Sequence, residues 1–160
     1  MTDLALAPER VLTFALDGEM FAIDAGCVRE ILEVPDVTRV PGAPAFVDGL
    51  VNVRGAIVPL ADLAVAFGSA AQGQGEDARI IVIEAAIEDE LTTIGILADK
   101  VHDVAEMDGA PIEPAPPVGM KWRADYIRGI ARRNGHFVIL PDLDLIFAEN
   151  LPHASHAALN

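Results

Sequence analysis

Few residues of this chain combine the type and the spacing that chemistry demands. His153 and His156 stand three positions apart, a spacing able to chelate a metal from one helical turn. They lie in a short C-terminal tail with nothing to fix their geometry, so the spacing reads as chance. Cys27 falls on an apolar stripe, where a thiol packs as a small hydrophobe and stays inert. His102 and His136 are isolated along the chain. Glu88-Asp89-Glu90 supplies carboxylates without the turn-making glycine of a calcium loop. There is no phosphate-cradling glycine loop, dinucleotide fingerprint, HExxH helix or nucleophile elbow. These absences argue against an enzyme and give no reason to expect a metal or a cofactor. Arg54 is the one polar residue that stands out. It ends a strand pattern and precedes the turn glycine Gly55, so its guanidinium reaches the surface. There it can make a planar, two-point contact to a partner's carboxylate or carbonyl. The alternative is an intrachain ion pair that holds the turn.

The elements that carry these residues follow from pattern. Residues 11–16 and 20–23 read as strands around Asp17-Gly18-Glu19, since Asp-Gly tolerates the positive φ of a tight hairpin. Asp24 is suited to cap a helix over 25–33 that gathers Cys27, Val28, Ile31 and Leu32 on one face. Such a stripe is most often core. The prolines at 41 and 44 imply an extended run over 38–45. Residues 46–54 and 56–60 form strands around Arg54-Gly55, and a short helix over 61–67 stops at Gly68. A polar loop, 69–77, leads to strands at 79–85, 92–98 and 101–107, with Glu88-Asp89-Glu90 as a turn. Residues 108–120 hold four prolines and should be extended or coiled. Strands at 126–132 and 137–140 flank Asn134-Gly135, a short helix covers 143–147, and the tail frays. Gly49 and Gly55 read as backbone requirements, either close approach or positive φ. Asn52 is placed to bond its own turn. Val53 and Ile57 point away from the faces taken by Arg54 and Val58, and alternation alone leaves open which set is buried.

Composition narrows the partners. The 160 residues carry 25 Asp and Glu against 11 Lys and Arg, a net charge of −14. That balance argues against nucleic acid and against an anionic membrane surface. Hydrophobic residues reach 52%, enough for a core, yet no uncharged apolar run is long enough to span a bilayer. One cysteine rules out an internal disulfide and fits a reducing compartment. Met1-Thr2-Asp3-Leu4 lacks the basic start of a secretory signal. The expectation is a soluble, cytoplasmic protein.

The chain also repeats itself. Gly49, Gly55, Val58, Leu60, Asp62, Leu63 and Phe67 recur as Gly129, Gly135, Val138, Leu140, Asp142, Leu143 and Phe147, an offset of 80. Upstream, Ile23, Val28, Glu30 and Ile31 pair with Ile96, Val101, Asp103 and Val104 at an offset of 73. Two related units follow, each a hairpin, a joining segment and a second hairpin. Sheets that small avoid open edges by curling into barrels, and two barrels sharing a core bury more surface than either alone.

The stretch from Gly49-Leu50-Val51-Asn52-Val53-Arg54-Gly55 through Ala56-Ile57-Val58-Pro59-Leu60 to Ala61-Asp62-Leu63 strongly resembles the central signature of CheW-like domains. Phe21-Ala22-Ile23-Asp24, Val28-Arg29-Glu30-Ile31, Pro44-Ala45-Phe46-Val47, Gly95-Ile96-Leu97-Ala98-Asp99 and Ile112-Glu113-Pro114-Ala115-Pro116 match in order and spacing. The resemblance runs from about Val11 to Phe147. It implies a mainly β protein of two interlocked, SH3-like, five-stranded β-barrels with short helices. It implies one domain over 9–148 and a flexible tail over 149–160. It further implies a non-enzymatic scaffold that couples the cytoplasmic hairpin tip of chemoreceptors to the regulatory domain of a CheA-type histidine kinase. Such a protein is cytoplasmic, is recruited to receptor arrays, and makes no nucleic-acid contact or membrane insertion. The same domain occurs within CheA and CheV, and this chain looks like the standalone form. Coupling in a paralogous pathway such as twitching motility is the alternative, and a small β-barrel enzyme a remoter one. The residues that the resemblance assigns to receptor or kinase binding are Val28, Glu30, Ile31, Asp48, Gly49, Asn52, Val53, Arg54, Gly55 and Ile57. Two departures from the pattern are Ala64, where a basic residue is usual, and the lack of a long terminal helix.

Overall fold

Four two-residue turns set the strand pairing. Asp17-Gly18, Arg54-Gly55, Glu88-Asp89 and Asn134-Gly135 each have positive φ at both central positions. That mirror-image turn matches the right-handed twist of hairpin strands. The structure is a computed structural model and describes residues 7–68, 75–107, 109–114 and 124–151. Its first unit holds β1 (Arg10–Leu16), β2 (Glu19–Asp24), β3 (Val28–Glu33), β4 (Val47–Val53), β5 (Ala56–Ala61) and α1 (Leu63–Ala66). The second holds β6 (Arg79–Ile87), β7 (Glu90–Ala98), β8 (Lys100–Glu106), β9 (Ile127–Arg133), β10 (His136–Pro141) and α2 (Leu143–Asn150).

The two units trade strands. One five-stranded sheet runs β8-β1-β2-β10-β9 and the other β3-β6-β7-β5-β4. Replacing each strand by its repeat mate turns the first order into the second. Each barrel therefore combines one unit's opening hairpin with the other unit's last three strands. Hairpin and partner meet through a short parallel contact, Phe21 with Ile139 in the first barrel and Leu60 with Gly95 in the second. The second barrel draws only on residues 28–98, while the first draws on 10–24 and 100–141. The result is the mainly β, interlocked pair of SH3-like barrels that the sequence predicts.

Each barrel has a small core of its own. Val11, Ala22, Ala131, Val138 and Leu140 fill the first, and Val51, Val58, Leu60, Ile80 and Val82 the second. The largest cluster lies between them and joins Phe14, Phe21, Phe46, Phe67, Ile83, Ile94, Ile96, Ile146 and Phe147 from both units. This shared core is where most of the large side chains are withdrawn from water, and it holds the barrels together.

The predicted helix over 25–33 is not there. Only Ala25–Cys27 makes a single 3-10 turn, capped by Asp24, whose Oδ1 accepts from the Gly26 N–H at 2.9 Å. Val28–Glu33 is a strand with Val28, Glu30 and Leu32 turned inward and Arg29, Ile31 and Glu33 turned out. Val28 with Ile31 and Leu32 satisfies a helical spacing as well as a run of β-branched residues does. The pairing with β6 decides between them, a choice local pattern does not see. Residues 38–45 are not uniformly extended either. Thr38 bridges Leu50, but Pro41-Gly42 forms a turn with Gly42 at φ +80°. Most of the predicted 69–77 loop and 108–120 coil lies outside the described residues, as does the tail beyond Leu151, including His153 and His156.

Glu149 and Asn150, read as the start of the tail, instead complete α2. The Tyr126 hydroxyl donates to Glu149 Oε1 at 2.8 Å and accepts from Asn150 Nδ2 at 3.0 Å. Tyr126→Phe is expected to lower stability by about 1 kcal/mol, the usual worth of a part-buried hydrogen bond. Urea unfolding with an unchanged slope would show it; a midpoint equal to wild type would mean the helix end is held by packing alone.

Candidate partner-binding site

Strands β3 and β8 are repeat mates and the edge strands of their sheets. Both carry a β-bulge at the same repeat position, between Val28 and Glu30 in β3 and between Val101 and Val104 in β8. Bulges re-aim side chains at sheet edges. Between the two edges runs a groove of about 550 Å³ walled by Val28, Ile31, Val104 and Leu12, with Arg10 and the Asp24–Gly26 turn at its rim. Ile31 is 42% exposed and Val104 50%. An apolar wall left open to water on both sides of a groove is what an amphipathic helical partner requires. Val28 serves as both core and groove wall: it packs against the shared core and lines the groove.

Beside the groove stands the β4–β5 turn. Arg54 adopts φ +52°, a region that long side chains rarely occupy, and Gly55 adopts +86°. Asn52 Oδ1 accepts from the Gly55 N–H at 2.8 Å, the local role expected of it. Arg54 Nε donates to Glu30 Oε2 at 3.0 Å, so the intrachain ion pair forms, yet the arginine side chain remains 79% exposed. The hydrogen bond to Glu30, then the carboxylate's charge, hold the guanidinium pKa above its ordinary value. The expected grouping of Val53 with Ile57 against Arg54 with Val58 does not hold: Val53 and Val58 are buried, Arg54 and Ile57 exposed, with Ile57 at 74%, because the turn at Arg54-Gly55 starts a new strand with its own alternation.

The ten residues assigned from the sequence do not form one patch. Glu30 and Arg54 pair, with Asn52, Gly55 and Ile57 on the same hairpin and Val28 and Ile31 in the groove. Asp48 and Gly49 sit at the other end of β4, about 17 Å from Arg54 at strand rise. Gly49 is there for packing. A Cβ on it would lie 2.6 Å from the Thr38 carbonyl oxygen. Gly55 has open space around it and is there for its φ. Sequence reasoning passed over Val104 and Phe137, the repeat mates of Ile31 and Ile57, which are exposed in the same way. The offsets of 73 and 80 were the signal that could have found them.

Asp62 is a buried charge of a different kind. Its Oδ1 caps α1 by accepting from the Ala64 N–H at 3.0 Å, while Oδ2 has no partner. Burial, and to a smaller degree the charge of Asp48, raise its pKa. Ala64, the departure from the family pattern, is buried against it. The folded chain thus keeps a proton on Asp62 where the unfolded chain has lost it. The stability linked to this group is fully present below the ordinary value of 3.8 and declines as pH rises through the raised one. Asp62→Asn keeps the cap and should flatten that decline. Asp62→Ala should lose about 1 kcal/mol from the cap at neutral pH. Urea midpoints across acid to neutral pH test both, and an unchanged profile in Asp62→Asn would exclude Asp62 as the source.

Burial first, then Asp24, raises the Cys27 thiol pKa and disfavours the thiolate. Among the described residues no three metal-ligating side chains converge, and no helix is long and apolar enough to cross a membrane.

Residues 10–150 match the family model of the CheW-like domain. The chain is 33% identical over 140 residues to a chemotaxis protein CheW of Klebsiella aerogenes, covering 88% of this chain and 82% of that one. It is 28% identical over 137 residues to a chemotaxis protein CheW of Rhizobium meliloti, covering 86% of each. The crystal structure of the scaffolding protein TtCheW from Thermoanaerobacter tengcongensis superposes with a TM-score of 0.76 at 30% identity, covering 94% of this chain and 97% of that one.

Proposed function

The chain belongs to the CheW-like domain family, and from that premise we propose that it is a non-enzymatic coupling scaffold. In this reading the groove between β3 and β8 receives the helical hairpin tip of a chemoreceptor. A barrel end docks on the regulatory domain of a CheA-type histidine kinase, which shares the fold. The observation that carries the reading is the open apolar groove with Arg54 displayed beside it at a strained backbone position. Strain of that kind is kept where surroundings and function demand it. Receptor conformation then biases the kinase through a bridged complex, and many such modest contacts add up across an array. Val28, Glu30, Ile31, Asn52, Arg54, Gly55 and Ile57 would meet the receptor. Gly49 and Val53 would act through the backbone and the core that shape that surface, while the place of Asp48 along β4 fits a separate contact.

Calorimetry of the purified protein against a receptor-tip hairpin and against a kinase regulatory domain tests this directly. Micromolar or tighter binding to both is the expected result. A folded protein that binds neither partner, across all the receptors and kinases of its source, would end the coupling assignment.

A further inference from the structure

We propose that the first barrel carries, at the end related by the repeat to the Arg54 turn, a pocket for a small free tetrahedral oxyanion of the phosphate type. The pocket is an open concavity of about 320 Å³ that gathers His102 and Asp103 from β8, Arg133 from β9, Asn134 from the turn, His136 from β10 and Thr13 from β1. The bulge in β8 opposite Thr13 turns His102 and Asp103 at this point. His136 and Arg133 face each other in register across the β9–β10 hairpin. Both histidines of the described residues thus open into one cavity.

The second barrel supplies an internal control. Arg29, Glu30 and Arg54 are the repeat mates of His102, Asp103 and Asn134. There the cations are consumed within the chain, Arg29 by Glu84 and Arg54 by Glu30. In the first barrel Asp103 lines the same pocket, with one of its carboxylate oxygens taken up by Thr13. Thr13, itself buried, donates its hydroxyl to Asp103 Oδ1 at 2.8 Å, and its Oγ1 accepts from the Asp103 N–H at 3.3 Å. Arg133, His102 and His136 have no hydrogen-bonding or ionic side-chain partner among the described residues. Arg133 and two imidazoles thus gather around one concave space beside a single carboxylate, Asp103, on a chain of net charge −14. A guanidinium fork and imidazole N–H donors match the geometry of a tetrahedral oxyanion.

Free phosphate and the phosphate of a lipid headgroup share this chemistry, and the test separates them. The full chain is titrated with sodium sulfate and, separately, inorganic phosphate at constant ionic strength and about pH 6. The imidazole resonances of His102 and His136 are followed by NMR. Both anions should give saturable shifts at these two histidines, with the affinity falling about fivefold or more in Arg133→Gln and in the more exposed His136→Gln. Should Arg133→Gln misfold, His136→Gln decides. Shifts that rise linearly without saturating, or that are the same in the variants, would overturn the proposal. So would sedimentation with phosphatidylglycerol vesicles that depends on Arg133, which would assign the pocket to a headgroup.

Discussion

Arg54→Asn should weaken binding of a receptor-tip hairpin by about tenfold or more while leaving the protein as resistant to urea as before, or more so. Both halves of this expectation come from the repeat. Arg54 and Asn134 occupy the same place in equivalent hairpin turns, at φ +52° and +53°. Asparagine enters that region with little penalty, whereas a long side chain is disfavoured there. The turn therefore does not need arginine; its own duplicate does without one. The ion pair to Glu30 is a poor reason to keep it, because exposed pairs of this kind contribute little to stability. What asparagine removes is the reach and the planar fork. Calorimetry and urea unfolding on the same samples check the two halves together. A variant that loses stability yet binds as wild type does would make the Arg54–Glu30 pair a clasp and take Arg54 out of the interface.

The largest loss of stability is expected at two other positions that the repeat relates. Gly49→Ala and Gly129→Ala should each cost about 3 kcal/mol, from overpacking plus weakened backbone bonds. The added methyl would meet the Thr38 carbonyl oxygen at 2.6 Å in one case and the Glu113 carbonyl oxygen at 2.8 Å in the other. Each glycine lies beside a short strap held by a reciprocal pair of backbone bonds. Thr38 and Leu50 exchange bonds of 2.8 Å, and Glu113 and Ile130 exchange bonds of 2.9 and 2.7 Å. A Cβ pushes the strap off the barrel and strains both bonds. Gly55→Ala is the comparison: no atom lies within 4 Å of its Cβ, so it loses only the backbone preference, about 1 kcal/mol. Urea midpoints of the three variants rank them. If Gly55→Ala proves the most damaging, close approach is not what Gly49 and Gly129 provide.

Local features of the fold were legible in the sequence because local rules govern them. Asp-Gly and Asn-Gly announce tight hairpins, and Asp24 is a cap as expected, though of the single turn Ala25–Cys27 and not of a helix over 25–33. The stretch 28–33 was misread because helical spacing gathers its apolar residues on one face, whereas strand spacing puts charges on both, and the pairing with β6 overrode the cleaner local pattern. The exchange of hairpins left no local mark at all. The offsets of 80 and 73 reveal two units but not which edges meet, since that depends on contacts between strands far apart in the chain. The same holds for the candidate site. Asn52, Arg54 and Gly55 share one turn and could be read together, whereas the groove needs Ile31 and Val104 from opposite barrels.

The traded hairpins also set an order of events at the ribosome. Domains fold as units while the chain emerges, and the second barrel is complete once residue 98 has appeared. The first is not, because β1 and β2 must wait for β8, β9 and β10. The hairpin made before all the other strands thus belongs to the barrel that closes last, and its Val11, Phe14 and Phe21 need shelter until residue 141 is out.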